Sequence, residues 1–330
     1  LDKSLAVDMA SNAGTVAREH TEPSAESRKP TWRDFYQLAK PGILFSNSIT
    51  VFGGFWIASG QTGERIDFLL LLWTLLGSAL VMASGCVLNN YLDRDLDKLM
   101  TRTQKRATAR GAISPRVVMW YGITLGVVGL GVLYLLANPL AALLGFAGLL
   151  VYVWVYTAWL KRTSVYSTSI GGISGAIPPM IGFTAVSGEL GAGAWILFLI
   201  MFLWQPPHFW ALGIRRKEEY RAAGYPLLPV VQGNHATKLA MMRYTIMLVP
   251  GSLLLYLYGY VGEIYVIAAT ILGMIWVVMT LRGFQAQDDE AWARKMFVYS
   301  INYLTLLFLV MVIDTNFVSA TPSIPFERIG

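Results

Sequence analysis

Two stretches of this 330-residue chain gather side chains that could do chemistry. The first reads Asn89-Asn90-Tyr91-Leu92-Asp93-Arg94-Asp95-Leu96-Asp97. On a helix Asn89, Asp93 and Asp97 stand at i, i+4 and i+8 and share one face, drifting about 40° per step. Three hard oxygen donors so arranged suit Mg²⁺, which keeps several waters and accepts phosphate oxygens. Asp95 lies about 200° around the helix from Asp93, where it can pair with Arg94 or a neighbouring base. The plainer reading is a solvated helix end whose acids pair with Lys98, Arg102 and Arg106. Position argues against it: the run directly follows about 20 apolar residues, where ionisable groups are costly and default to function.

The second stretch reads Trp204-Gln205-Pro206-Pro207-His208-Phe209-Trp210, then Arg215-Arg216-Lys217-Glu218-Glu219-Tyr220. A continuous helix would align His208, Leu212, Arg215 and Glu219, setting an imidazole above an arginine and a carboxylate. Glu219, with Glu218 beside it, is the candidate acid of a second cation site facing the first. His208 admits three roles: a haem or metal ligand, a base, or a buried hydrogen-bonded ring. Basic residues flank both acidic clusters: Arg102, Lys105, Arg106 and Arg110 after the first, Arg215, Arg216 and Lys217 around the second. Tyr156 and Lys161-Arg162 end another apolar segment. Acid and base converging on one cavity fit a diphosphate bridged by Mg²⁺. No Gly-rich loop follows a strand, which argues against a nucleotide-type phosphate site.

The elements that must position these residues follow from composition. The chain is 55% hydrophobic and only 14% charged, where a soluble domain carries about a quarter charged residues. With about 20 residues needed per membrane span, the apolar content allows about nine. The pattern places them near 43–59, 68–88, 117–137, 140–159, 168–187, 194–213, 242–260, 264–281 and 297–315. Asn138-Pro139 marks a tight hairpin between the third and fourth. The fifth is rich in small residues and carries Pro178-Pro179, which predicts close packing and a kink or unwinding midway. Of 26 Lys and Arg, 24 fall on one side of such a bundle, leaving Arg65 and Arg328 opposite. That asymmetry predicts a cytoplasmic N-terminus and an outside C-terminus. The net charge of +6 is thus an orientation signal and not a sign of nucleic acid. The single cysteine, Cys86, excludes internal disulfides and Cys-based metal centres.

The expected class is an all-α polytopic membrane protein, about nine helices around a central cavity open near the cytoplasmic side. Residues 1–40 read as a mobile cytoplasmic tail, 41–316 as the bundle and 317–330 as an extracytoplasmic tail. The acidic runs end spans two and six, which suggests two related four-helix units.

At this point the residues resemble a known family. The Asn-Asn-x-x-Asp-x-x-x-Asp run is similar to the first Asp-rich motif of the UbiA-type intramembrane prenyltransferases. Asp97–Arg106 (DKLMTRTQKR), Tyr156–Thr163 (YTAWLKRT), Gly171–Gly182 (GGISGAIPPMIG) and Trp204–Val231 (WQPPHFWALGIRRKEEYRAAGYPLLPVV) narrow the resemblance to the protohaem IX farnesyltransferases, or haem O synthases, over about residues 31–316. The resemblance implies transfer of farnesyl from farnesyl diphosphate to a vinyl group of haem B, with water addition, giving haem O and diphosphate. Mg²⁺ is the implied cofactor. Asn89, Asp93, Asp97 and Glu219 would hold it, with Asp93, Asp97 and Lys161 catalytic. Asn89, Arg102, Lys105, Arg106, Tyr156, Lys161, Arg162, Arg215 and Arg216 would bind diphosphate, and His208 is the candidate haem contact. The implied setting is a bacterial inner membrane, with a haem-modifying or oxidase-assembly protein as candidate partner. Two departures stand out: Glu218-Glu219 where the family commonly shows Asp, and Ala107 where it usually has Pro. Two alternatives remain open: a prenyltransferase acting on an aromatic quinone precursor, and a transporter using the broken fifth helix.

Overall fold

The computed structural model describes residues 30–63 and 65–317. Of the two expected tails, residues 1–29 and 318–330 lie outside it. In chain order the helices are α1 (Trp32–Leu38), α2 (Pro41–Thr62), α3 (Phe68–Asp97), α4 (Pro115–Leu136), α5 (Pro139–Leu150), α6 (Lys161–Thr163), α7 (Ser167–Ser187), α8 (Ala192–Arg215), α9 (Lys217–Ala222), α10 (Leu228–Val231), α11 (Gly233–Leu257), α12 (Glu263–Arg282) and α13 (Asp289–Ile313). A π-helical stretch, Val151–Leu160, joins α5 to α6 without a break. Among the described residues nine helices are long and apolar enough to cross a membrane. There is no strand among them, only an isolated bridge between Val261 and Thr315. Large apolar side chains such as Val127, Leu135, Trp154 and Ile313 stand on the outside, as a lipid solvent requires. The chain is a multi-pass membrane protein.

Capping residues fix where the spans begin. Asp67 accepts from the backbone of Leu69 and Leu70 to start α3, and Ser114 accepts from Val117 to start α4 behind Pro115. Asn138 makes the expected hairpin: its Oδ1 caps Ala141, while its Nδ2 donates to Thr184 O at 2.7 Å, tying the turn to α7. At 30 residues α3 is about 45 Å long, well beyond a hydrocarbon core of about 30 Å. Its last turns therefore leave the apolar slab still helical, and these are the turns that carry the acidic run.

The fifth span departs from one expectation and meets another. α7 runs unbroken through Pro178 and Pro179 and does not unwind. The expected close packing is present. A Cβ on Gly54 would lie 2.0 Å from Pro179 O, and one on Gly182 would lie 1.9 Å from Val51 O, so α2 and α7 meet backbone to backbone. The two spans α11 and α13 start at Gly233 and Asp289, about nine residues before their apolar stretches. Helical hydrogen bonding continues past the membrane-facing segment there, with buried Lys238 donating to Gly283 O at 2.6 Å and to Asp289. Inside the expected tail, α1 is helical and held by an Arg110–Asp34 ion pair at 2.5 Å.

Candidate active site

Because α3 stays helical to Asp97, Asn89, Asp93 and Asp97 do share a face, and that face is inside the protein: they are 3%, 0% and 3% exposed. Buried carboxylates need partners, and both have them. Asp93 Oδ2 accepts from Lys161 Nζ at 2.5 Å and Asn89 Nδ2 at 2.9 Å, and Arg162 stands 3.5 Å from Oδ1. Asp97 Oδ2 accepts from Arg106 at 2.7 Å. Asn89 also donates to Thr157 Oγ1 at 3.1 Å, and its Oδ1 accepts from Lys40 Nζ at 2.6 Å. Asp95, on the other side of the helix, pairs with Arg94 and Lys98 in solvent.

Lys161 reaches this cluster because of the π-helical stretch. In an α-helix the nine steps from Tyr152 to Lys161 make two and a half turns and set the two residues on opposite sides. The wider i→i+5 turn puts Tyr152, Tyr156 and Lys161 on the same cavity wall. Thr157 Oγ1 donates to Tyr152 O within the stretch, and the rings of Tyr152 and Tyr156 stack at 5.8 Å. The Lys161 ammonium lies 4.9 Å over the Tyr225 ring. Burial pushes the Tyr225 hydroxyl up to about 12 against the pull of Lys161, so it remains a hydrogen-bond donor.

These residues enclose a cavity of about 240 Å³ at the basic end of the bundle. Asn89, Asp97, Arg102, Arg106 and Lys161 line it from the first half of the chain. Gln205, Phe209, Leu212, Tyr220 and Tyr225 line it from the second. Gln205 is buried, and its Nε2 has no hydrogen-bond partner among the described residues. Past Ile43 and Tyr152 an apolar cavity of about 110 Å³ continues inward among α2, α3, α5 and α7, with Cys86 and Ile177 in its wall. Among the described residues no three His, Cys, Asp or Glu side chains cluster to hold a metal. Asn89, Asp93 and Asp97 nevertheless fit a hard cation: one amide and two carboxylates on a single buried face leave coordination positions open for phosphate oxygens and water.

The second stretch is arranged otherwise. α8 ends at Arg215, Arg216 breaks it at φ −118°, ψ 23°, and α9 restarts at Lys217. The expected His208–Glu219 stripe therefore does not run through. Gln205, Phe209 and Leu212 face the cavity, and His208 is one step round, with Nδ1 2.6 Å from Ser300 Oγ and its ring between Trp204 and Phe297. Arg215 lies over the Phe297 ring at 5.6 Å. Glu219 is held by Arg216 at 2.6 Å, with its Oε2 buried and unpartnered among the described residues, and Glu218 pairs with Arg221. Arg215, Arg216 and Glu219 line a separate pocket with Asp288 and Asp289. So the structure brings Asn89, Asp97, Arg102, Arg106, Tyr156 and Lys161 to this cavity, with Asp93 and Arg162 paired behind its wall, but not His208, Arg215, Arg216 or Glu219. Lys105 lines an adjoining one.

Sequence reasoning missed Lys40, Tyr152, Gln205 and Tyr225. Lys40 alone left a signal, the Lys40-Pro41 pair, since a residue before proline is kept out of the right-handed helix. At φ 55°, ψ 65° it is the one non-glycine residue with positive φ among the described residues, a conformation costing about 1–2 kcal/mol. Burial pushes its ammonium down to about 8, so it still carries charge near neutral pH.

Residues 47–301 match the model of the UbiA prenyltransferase family. "Protoheme IX farnesyltransferase 1" of Bacillus subtilis (strain 168) is 50% identical over 314 residues, which is 93% of this chain and 98% of that protein. "Protoheme IX farnesyltransferase" of Yersinia pseudotuberculosis (serotype O:1b, strain IP 31758) is 47% identical over 86% of this chain and 95% of its own length. Among solved structures, a digeranylgeranylglyceryl phosphate synthase superposes with a TM-score of 0.71 at 19% identity, covering 86% of this chain and 97% of that one. A UbiA homologue from Archaeoglobus fulgidus bound to GPP and Mg²⁺ gives 0.61 at 14% identity, covering 84% and 99%. A helical bundle with a buried Asn-Asp-Asp face, a family match across most of its spans and half its residues shared with those relatives leave one assignment: the chain belongs to the UbiA prenyltransferase family, in its protohaem IX farnesyltransferase branch.

Proposed function

We propose that this protein transfers a farnesyl group from farnesyl diphosphate to a vinyl group of protohaem IX, adding water to give haem O and releasing diphosphate. The observation that carries the chemistry is the buried face of Asn89, Asp93 and Asp97, each already matched to a basic side chain that can turn to phosphate. The relatives at about 50% identity carry the choice of acceptor.

Asn89, Asp93 and Asp97 would hold Mg²⁺, which when bound supplies positive charge to the departing diphosphate. The A. fulgidus homologue's complex with GPP and Mg²⁺ supports that use of a divalent cation. Lys161 and Arg106 stabilise the same developing charge from the cavity wall. The C–O bond of the allylic diphosphate breaks, and its electron pair leaves with diphosphate. The vinyl π pair forms the new C–C bond, the resulting cation on the haem side chain takes a water, and that water gives up one proton. The rings of Tyr152 and Tyr156 and the apolar cavity beyond them exclude bulk water from the farnesyl chain and stabilise its cation. The cavity sits at the end of the bundle where the basic residues gather, which supports a cytoplasmic mouth in a bacterial inner membrane. The reading is tested by the mass of the product from purified protein with both substrates. Haem should gain one farnesyl and one hydroxyl; unchanged haem, or prenylation of a phenolic quinone precursor instead, would contradict it.

A further inference from the structure

Beside the main cavity lies a larger one of about 580 Å³, opening between α1, the start of α2 and the loop after α3. The two share a wall made by Lys40, Ile43, Arg102 and Arg106. The charge of this vestibule is one-sided. Lys40, Arg102, Lys105 and Arg106 line it, and its one lining carboxylate, Asp34, is already engaged by Arg110 at 2.5 Å and by the Thr31 backbone at 2.8 Å. Arg106 is occupied with Asp97 and Lys40 with Asn89. Arg102 and Lys105 have no ion pair or hydrogen bond among the described residues. Lys105 does not line the main cavity at all.

A single diphosphate accounts for the main cavity and leaves this second basic space without a ligand. The acceptor's own chemistry fits it. Protohaem carries its two vinyl groups and its two propionates on opposite edges of a flat macrocycle. A vinyl placed against the allylic carbon in the main cavity sends the propionate edge out through the shared wall. Leu38, Pro41, Ile43 and Ala107 offer that side apolar surface, with the Arg102 guanidinium in the shared wall and the Lys105 ammonium beyond it. Planar guanidinium–carboxylate pairing also fixes an orientation, which a vinyl-selective reaction needs.

We propose that this vestibule binds the two carboxylates of the tetrapyrrole acceptor, with Arg102 and Lys105 as their contacts, and so presents the vinyl edge to the farnesyl cation. The proposal rests on reading the acceptor as haem. A phosphate, from a lipid headgroup or from departing diphosphate, is the competing anion.

The test is farnesyl transfer by the full-length protein to haem B and to haem B dimethyl ester, in wild type, Lys105→Gln and Lys105→Arg. Apparent KM is measured for both acceptors and for farnesyl diphosphate. Lys105 is an exposed loop residue, so its substitution leaves the bundle intact. Esterification should raise the acceptor KM about tenfold, and Lys105→Gln should raise the haem B KM about three- to tenfold, with the farnesyl diphosphate KM unchanged. Lys105→Arg should restore the haem B value. Lys105→Gln should add nothing with the ester, because the partner of that charge is already gone. An ester used as well as haem B overturns the proposal, as does an equal loss on both acceptors. A rise in KM for farnesyl diphosphate alone gives the vestibule to phosphate. If wild type farnesylates neither acceptor, the reading of the acceptor itself falls and takes the proposal with it.

Discussion

The ends of α3 and α8 carry the same kinds of residue and are built in opposite ways. At α3 the helix continues through the charged run, so three oxygen donors stay in register, buried, with lysine and arginine laid against them. At α8 the helix stops at Arg215, and Glu218 and Glu219 fall on a six-residue helix, each paired with a nearby arginine. The Arg221–Glu218 pair stands in solvent, where such pairs are worth about 0–1 kcal/mol. A buried carboxylate stripped of its partner costs about 3–5 kcal/mol, so any ligand that takes the partner must replace its charge. The contrast separates charges stacked in register inside the bundle from charges paired with their own helical neighbours, although composition alone makes them look alike.

Three perturbations test that contrast. The largest effect is expected from Asp97→Asn, which keeps the shape of the α3 face and removes a carboxylate. Turnover at saturating Mg²⁺ should fall about 100- to 1000-fold. Near-normal turnover would mean the face is structural. Next, deleting Val155 should close the Val151–Leu160 stretch into an α-helix and leave Lys161 about 80° round the axis from Tyr152. Activity should drop about 100-fold with helical content by circular dichroism unchanged; a fully active deletion would remove any need for the π-helical turn. The smallest is His208→Phe. Ser300 loses its ring partner, which costs about 1–2 kcal/mol by thermal unfolding, while haem affinity should stay within about threefold. Loss of haem binding at unchanged stability would put His208 back at the haem site.

Much of this was legible from the chain. Nine apolar segments lead to nine spans because each must satisfy its backbone alone in lipid. Asn89, Asp93 and Asp97 were readable because helical spacing is all their arrangement needs. Two of the misses share one cause, a change of helical register that no single residue announces. Extending an α-helical stripe from His208 to Glu219 failed at Arg216, where the backbone leaves the helix. Tyr152 and Lys161 were not readable as one cavity wall because only a π-helical turn puts them on the same side. Lys40 lies 49 residues from Asn89 in sequence, and only the packing of α2 against α3 brings them together.

Mg²⁺-dependent binding of farnesyl diphosphate, titrated side by side in wild type, Asp93→Asn and Glu219→Gln, tests the central contrast most directly. Asp93→Asn is expected to lose the Mg²⁺-dependent part of the affinity, while Glu219→Gln stays within about threefold of wild type. Equal losses in both variants, or loss in Glu219→Gln alone, would contradict it and make the α8 end part of the metal site.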